Sequence, residues 1–503
     1  MKYTNPVIPG FHPDPSICRV GSDYYLVTSS FEYFPGVPIF HSKDLVHWRQ
    51  IGHCLTTEHQ LPLTGAWSSG GIYAPTLRYH NGWFYMVTTN VSGGGSFFVK
   101  AQNPEGPWSE PVKVAQGGID PSLLFDDDGR VYLQSPTTGA EGDGIYQCEI
   151  DMETGDRLSE SRLIWKGTGG AHPEGPHLYK IHGQYYLMIA EGGTEYGHME
   201  TIARSDHPYG PFEPCPNNPI LTNRSMANGI YATGHADLIE AHDGSWWAVC
   251  LGIRTVSYPM GHHLGREVFL APVSWTSDGW PIVGNGTHIE PVMDAPKLPQ
   301  VLWPEKPPRD DFEDTQLDMR WTFLRNPVEG SWSLTQRPGY LVLLGQAATL
   351  NEALAPAFVG RRLCHFSCTV VAKLEFDPQH DGEEAGLTMY MDEKHHYDLA
   401  VKFIQGRKQL IFRRTVGSMQ MVEQRECPEG AIELQFQAQP ERFVASFRSS
   451  QSGTIEMGWG ETHLLSTEVA GGFVGVMAAM YATSDAENPT PALYDWFHYE
   501  PIE

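Results

Sequence analysis

Short runs of apolar and aromatic residues, each opened by a turn, recur along the N-terminal part of the chain. They read GSDYYLVTSS (21–30), HNGWFYMVTT (80–89), DDGRVYLQS (127–135), IHGQYYLMIA (181–190) and AHDGSWWAVC (241–250). A Gly-containing turn followed by β-branched and aromatic residues is the pattern of a hairpin and its return strand. The key aromatics, Tyr25, Tyr85, Tyr132, Tyr186 and Trp247, are separated by 60, 47, 54 and 61 residues. Each interval is long enough for a four-stranded sheet, and helical periodicity is scarcely visible. Repeats of this size, all strand and turn, predict a β-propeller, and five copies predict five blades. A large β-sandwich with similar hairpins is the competing reading.

The proline-spaced stretch DAPKLPQVLWPEKPPRDDF (294–312) leaves little room for regular structure and reads as a boundary. Beyond it come further strand-like runs, among them GYLVLLG, CTVVAKLEF, HYDLAVKF and GGFVGVMAAM, which suggest an antiparallel β-sandwich. The expected organisation is an all-β chain. A propeller spans 1–295, a linker 296–308 and a sandwich 309–503.

Eleven or twelve residues before each key aromatic stand Asp14, Ala74, Asp120, Glu174 and His235, in the rhyming contexts DPSI, APTL, DPSLL, EGPHL and HADLI. Equivalent positions in the blades of a closed ring surround its axis, so these five are expected at one mouth of the channel. Three carboxylates held together raise one another's pKa, which keeps one of them protonated near neutral pH. Hydrolysis of a glycosidic bond uses that division: one carboxylic acid protonates the leaving oxygen and a carboxylate activates water. Glu174, framed by Pro173, Gly175 and Pro176, is the better acid. Asp14 is the better base, and Asp120 would tune and orient the acid. Taken alone, Asp14 is equally readable as a turn or cap residue. His235 is open between a core histidine, a substrate contact and a ligand for an axial cation. Arg266, just before an apolar strand in GREVFLAPV, could hold a carboxylate or a sugar hydroxyl, or form an ordinary salt bridge. Phe31, Tyr73 and Trp67 are candidates for an apolar wall. DDDG at 126–129 reads as a hairpin turn, since it lacks the later Glu of a calcium loop. The pairs His262–His263 and His395–His396 are expected on the surface.

Composition narrows the partners. Against 60 acidic residues stand 34 basic ones, a net charge of −26, which repels nucleic acid and anionic membranes and suits a neutral substrate. The N-terminus lacks the basic and apolar regions of a secretory signal, and the eight cysteines are scattered, so a cytoplasmic protein with reduced thiols is expected. A homo-oligomer is compatible with all of this.

The phrases NPVIPGFHPDPSI, SSFEYFPGVPIFHSKDLVHW, GIDPSLLFDDDGRVYL, PEGPHLYK, AEGGT, GHADLIE and GREVFLAPV together resemble glycoside hydrolase family 43, over essentially the whole chain. The resemblance implies a five-bladed propeller followed by a jelly-roll domain that shapes one side of the pocket. It implies inverting hydrolysis without an organic cofactor, with Asp14 as general base, Asp120 as modulator and Glu174 as general acid. Phe31, Thr194, His235 and Arg266 match positions lining the sugar pocket. Some members carry a calcium ion on the axis near the equivalent of His235. Two features depart from the pattern. Tyr73 stands where many relatives carry Trp, and the Gly/Phe segment EVAGGFVG (468–475) looks shortened, so that Phe473 cannot be given the pocket-closing role of its relatives. The expected activity is release of xylose from the non-reducing ends of xylo-oligosaccharides. An α-L-arabinofuranosidase acting on arabinoxylan fragments is the alternative, and a non-catalytic sugar-binding propeller the alternative from another class. The Asn-Asp-Pro-Asn-Gly signature of the retaining fructan-hydrolase propellers is absent.

Overall fold

The computed structural model describes residues 2–258 and 260–502. Five antiparallel four-stranded sheets fill the N-terminal part, and their first strands are Ser16–Val20, Thr76–His80, Ser122–Phe125, Glu174–Ile181 and Ile230–Glu240. The recurrent aromatic phrase forms the second strand of every sheet: Asp23–Val27, Trp83–Asn90, Val131–Gly139, Gln184–Glu191 and Trp246–Arg254. The five first strands adjoin one another in cyclic order, the fifth returning to the first, so the sheets close a ring. The N-terminus completes it. Lys2–Thr4 pairs with Val292–Asp294, while the Asn5 side chain bonds both the amide and the carbonyl of Leu270 in the fifth sheet.

One polar residue from each first strand meets its counterparts on the axis. Arg78 makes a two-pronged contact with Asp237 (2.8 and 3.2 Å) and reaches His177 Nδ1 at 2.9 Å. Ser16 donates to Asp237 at 2.7 Å, and Ser122 lies 3.1 Å from His177 Nδ1. All five belong to a hydrogen-bonded hub in which the buried carboxylate and guanidinium satisfy each other. Ser16, Ser122 and Asp237 each follow by two residues one of the positions singled out for chemistry, and His177 follows by three. The hub therefore fixes the height of the site above it. Between the sheets the cores are apolar, as with Val27, Ile39, Leu77, Met86 and Phe97 between the first and second.

The C-terminal part is a sandwich of an eight-stranded and a six-stranded antiparallel sheet. Its core runs without a break into the propeller, since Phe11, Phe31, Tyr33 and Leu264 belong to the same apolar cluster as Phe358, Leu387 and Met480. Tyr33–Phe34 pairs with Phe323–Leu324 across the junction, and Arg362 Nε donates to the Phe11 carbonyl at 2.6 Å. Among the described residues no helix is long and apolar enough to cross a membrane.

The histidine pairs correct an expectation, for all four are buried. His263 packs edge-on against Phe366 and Phe443, and His396 bonds Asp398, so an imidazole serves as a mostly apolar plate with one polar edge.

Candidate active site

Above the hub lies a pocket of about 450 Å³ lined by Asp14, Ala74, Asp120, Glu174 and His235, the five equivalent positions of the five sheets. Phe31, Tyr73, Thr194 and Arg266 line it too, so these candidates share one cavity with the acids. Trp67 does not, and stands half exposed outside the lining set. The backbone is strained to aim these side chains, just before the inner strand in the first and third sheets and at a bulge within it in the fifth. Asp14, Asp120 and His235 have φ of 56°, 46° and 47°, in the left-handed region that costs of order 1 kcal/mol or more for a residue with a side chain. In the fourth sheet the left-handed residue is Gly175, φ 55°, where a Cβ would come within 2.8 Å of His235 Nε2. Only glycine fits between the acid and the imidazole.

The three acids sit in different fields. Burial alone would raise Asp14, but Arg266 Nη1 at 3.2 Å, His235 Nδ1 at 3.6 Å and the Ser29 hydroxyl at 2.6 Å outweigh it and hold Asp14 below the usual carboxylate range. Glu174 goes the other way. Burial and the charge of Asp14 push it up to about 7, and Arg266 offsets only part of this. Asp120 is also raised, by burial and then by Glu174 and Asp14, while the Gly175 amide favours its ionised form. Burial shifts the His235 imidazole below its ordinary value, and the charge of Asp14 pulls it back up.

Arg266 is the centre of the wall. It bonds Asp14, donates to Thr194 Oγ1 at 3.0 Å and to the Phe473 carbonyl at 3.2 Å, and lies over the rings of Phe31 and Phe473. Phe473 is therefore a pocket residue, although the shortened look of its segment had left its role unassigned. It stacks on Phe31 with centroids 6.0 Å apart, meets Tyr73 edge-on, and its amide donates to Ser69 Oγ at 2.8 Å.

Other contributors were not foreseen. His198 lines the pocket, and with Nδ1 on the Ala232 carbonyl its Nε2 has no protein partner among the described residues. Glu191, inside the AEGGT phrase, is buried and accepts from the amides of Thr168 and Gly170 and the hydroxyls of Thr168 and Thr201. It pins the loop that leads into Glu174. A carboxylate within an apolar strand, followed by two glycines, was the available signal.

The surroundings of His235 do not suit calcium, which takes six to eight oxygen ligands. Asp14 is engaged by Arg266 and Ser29, Asp237 by Arg78, Ser16 and Tyr179, and the cation on the axis is a guanidinium. Among the described residues no three His, Cys, Asp or Glu side chains are grouped to hold a metal.

The comparisons agree with this geometry. The model of glycosyl hydrolases family 43 matches residues 3–281, and that of the β-xylosidase C-terminal concanavalin A-like domain matches 309–500. A non-reducing end α-L-arabinofuranosidase of Bacteroides ovatus is 46% identical over all of this chain and 95% of its own. A β-xylosidase of Bacillus subtilis is 33% identical over 99% of this chain and 100% of its own. Among solved structures, the xylan β-1,4-xylosidase of Bacillus halodurans superposes with a TM-score of 0.95 at 36% identity, covering 99% of this chain and 100% of that one. The Bacteroides ovatus xyloglucan PUL GH43B reaches 0.96 at 45%, with both chains covered in full. With its propeller and its sandwich each matched by a family model and its whole length by relatives, this chain belongs to glycoside hydrolase family 43.

Proposed function

We propose that this chain is an exo-acting, inverting pentosidase that releases xylose from the non-reducing ends of xylo-oligosaccharides. The observation that carries the reading is the unlike setting of two carboxyl groups in one pocket: Asp14 lies against Arg266, His235 and Ser29, which hold it below the usual range, while burial and the charge of Asp14 push Glu174 up to about 7. At neutral pH Asp14 is ionised and can take a proton from water, while Glu174 keeps a proton for the leaving oxygen. Asp120 is raised as well, by burial and by the charges of Glu174 and Asp14, with the Gly175 amide pulling the other way, and the reading assigns the delivered proton to Glu174. Water attacks the anomeric carbon as the bond to the leaving oxygen breaks. Asp14 ends protonated, Glu174 ionised, and the configuration inverted.

Exo action is supported by the wall. Phe31, Tyr73 and Phe473 pack on one another along one side of the pocket, which suits a chain end better than a chain lying across it. Arg266 and Thr194 present donors to sugar hydroxyls, and Phe31 and Tyr73 offer apolar faces to the ring.

A second reading, primary α-L-arabinofuranosidase activity, is favoured by the name of the 46% identical relative and by Tyr73 in the wall. Initial rates on 4-nitrophenyl β-xyloside and α-L-arabinofuranoside separate the two, and an arabinose preference of about tenfold (about 1.4 kcal/mol) reverses the order. Proton NMR of the first-formed sugar tests the mechanism, since a retained anomer would exclude it. In Glu174→Ala, retained sugar binding without turnover is expected. A wild type that binds xylose but turns over no glycoside would make the propeller a lectin.

A further inference from the structure

Three segments distant in sequence meet twice at the edge of the pocket. At the pocket itself, Arg266 ties together Thr194 and the Phe473 carbonyl. Further out the same three segments meet at Glu468. Its carboxylate lies 2.6 Å from His262 Nδ1, accepts the His262 amide at 3.2 Å and accepts the Tyr196 hydroxyl at 2.9 Å. Tyr196 is two residues from Thr194, His262 four from Arg266, and Glu468 five from Phe473. Each wall residue thus has a second anchor on its own segment, and all the second anchors converge on one carboxylate from the C-terminal domain.

Between the anchors, Phe473 is held by Ser69, Arg266 and the rings of Phe31 and Tyr73, and the residues on either side of it decide how firmly. Glu468 sits in a single helical turn, Thr467–Ala470, followed by Gly471 and Gly472. Beyond Phe473, Gly475 passes so close to the propeller that a Cβ would stand 2.5 Å from the Leu264 carbonyl, and Val476 donates to the His263 carbonyl at 2.9 Å. Two glycines at the near end leave the backbone before Phe473 with freedom that the contacts at either end restrict. The far end is held by this close packing and the near end by Glu468.

We propose that Glu468 is a positioning residue for the sugar pocket. Its carboxylate clasps the Tyr196 and His262 loops to the C-terminal segment, and so sets the Phe473 ring and the Arg266–Thr194 wall against the substrate. It touches neither substrate nor the acids, and it acts on binding rather than on bond breaking. The inference rests on the pentosidase reading for its substrate.

The test is kinetic and structural together. In Glu468→Ala, KM for the preferred aryl pentoside should rise roughly tenfold, with kcat within about twofold, as expected for one lost charge-assisted hydrogen-bond cluster. Glu468→Gln, which keeps an acceptor for Tyr196, should recover most of the loss. Phe473→Ala should raise KM similarly, and the double variant should be little worse than either single one, because the two residues act in series. Amide exchange at residues 471–474 and 194–197 should accelerate in Glu468→Ala while the five first strands stay protected. An unchanged KM, additive losses in the double variant, or exchange accelerated uniformly over the chain would overturn the clasp. Wild-type turnover of both aryl pentosides is the separate check on the pentosidase reading, and the exchange measurement stands whatever that check returns.

Discussion

Glu174 destabilises the fold at the pH where it is useful, and replacing it should show by how much. Moving a carboxyl from its ordinary 4.5 to about 7 in the folded state means that folding must pay to ionise it beside Asp14. At about 1.4 kcal/mol per tenfold change in proton affinity, the full penalty is about 3 kcal/mol. The sign is that of a raised acid. The favourable contribution of the protonated group is complete below about pH 4.5, fades as pH rises through 7 and is gone above it. Glu174→Gln keeps the shape and removes the charge. It should be inactive, and at pH 8.5 more stable than wild type by up to about 3 kcal/mol, or roughly 3–5 °C in Tm for a cooperative unit of this size. Near pH 4.5 the gap should nearly close. Calorimetric scans of both proteins at pH 4.5, 6, 7 and 8.5 measure it. A gap that does not grow with pH, or a wild type that is the more stable protein at pH 8.5, would refute the buried-acid argument and with it the assignment of the proton to Glu174.

Other consequences are open to direct measurement. The kcat/KM profile should fall with rising pH near 7 as Glu174 deprotonates, and should hold on the acid side to below the usual carboxylate range, because Asp14 is depressed by Arg266, His235 and Ser29. Arg266 lowers both acids, so Arg266→Met should move both limbs upward and cost at least about a hundredfold in kcat/KM through lost charge and hydroxyl contacts; a profile that only scales down would show Arg266 to be a binding group alone. A strong chelator should leave turnover unchanged, since the axis carries Arg78, and a loss restored by calcium would contradict that reading of the hub. Ending the chain at Pro308 should yield an insoluble or inactive propeller, because Phe11, Phe31, Tyr33 and Leu264 lose their apolar cover; full activity of the truncated chain on an aryl pentoside would reduce the sandwich to an appendage.

The repeat was readable because each sheet reuses one local solution, a tight turn into an aromatic strand. Tyr25, Tyr85, Tyr132, Tyr186 and Trp247 all fall in second strands, and the residues eleven or twelve before them all reach the axis. Local register fixes both facts. What crosses the domain junction was not readable. Ser69 and Phe473 are separated by 404 positions, and nothing in either segment announces the other. The buried histidine pairs failed for a related reason, since polarity on the page says nothing of whether the apolar face of a ring finds Phe366 or Phe443. Glu191 falls between the two cases: its strand was evident, its four partners were not.

The strain and the hub are two parts of one arrangement. An ordinary strand residue at position 14, 120 or 235 would send its side chain into the sheet stack, and the left-handed turn redirects it into the pocket. Such turns persist only where their surroundings over-determine them, and the network two or three residues further on supplies that constraint. Ser16, Ser122, His177 and Asp237 are locked to one another through Arg78, so the strand cannot slide to relax the turn above it. Pocket and hub should therefore fail together. Asp237→Asn alters none of the three acids chemically but weakens the partner of Arg78 and frees the first and fifth strands to shift. Its cost should appear in kcat, through misaimed Asp14, at least as much as in stability. If kcat holds while stability falls, the hub only glues the ring, and the aim of the acids must come from their own turns.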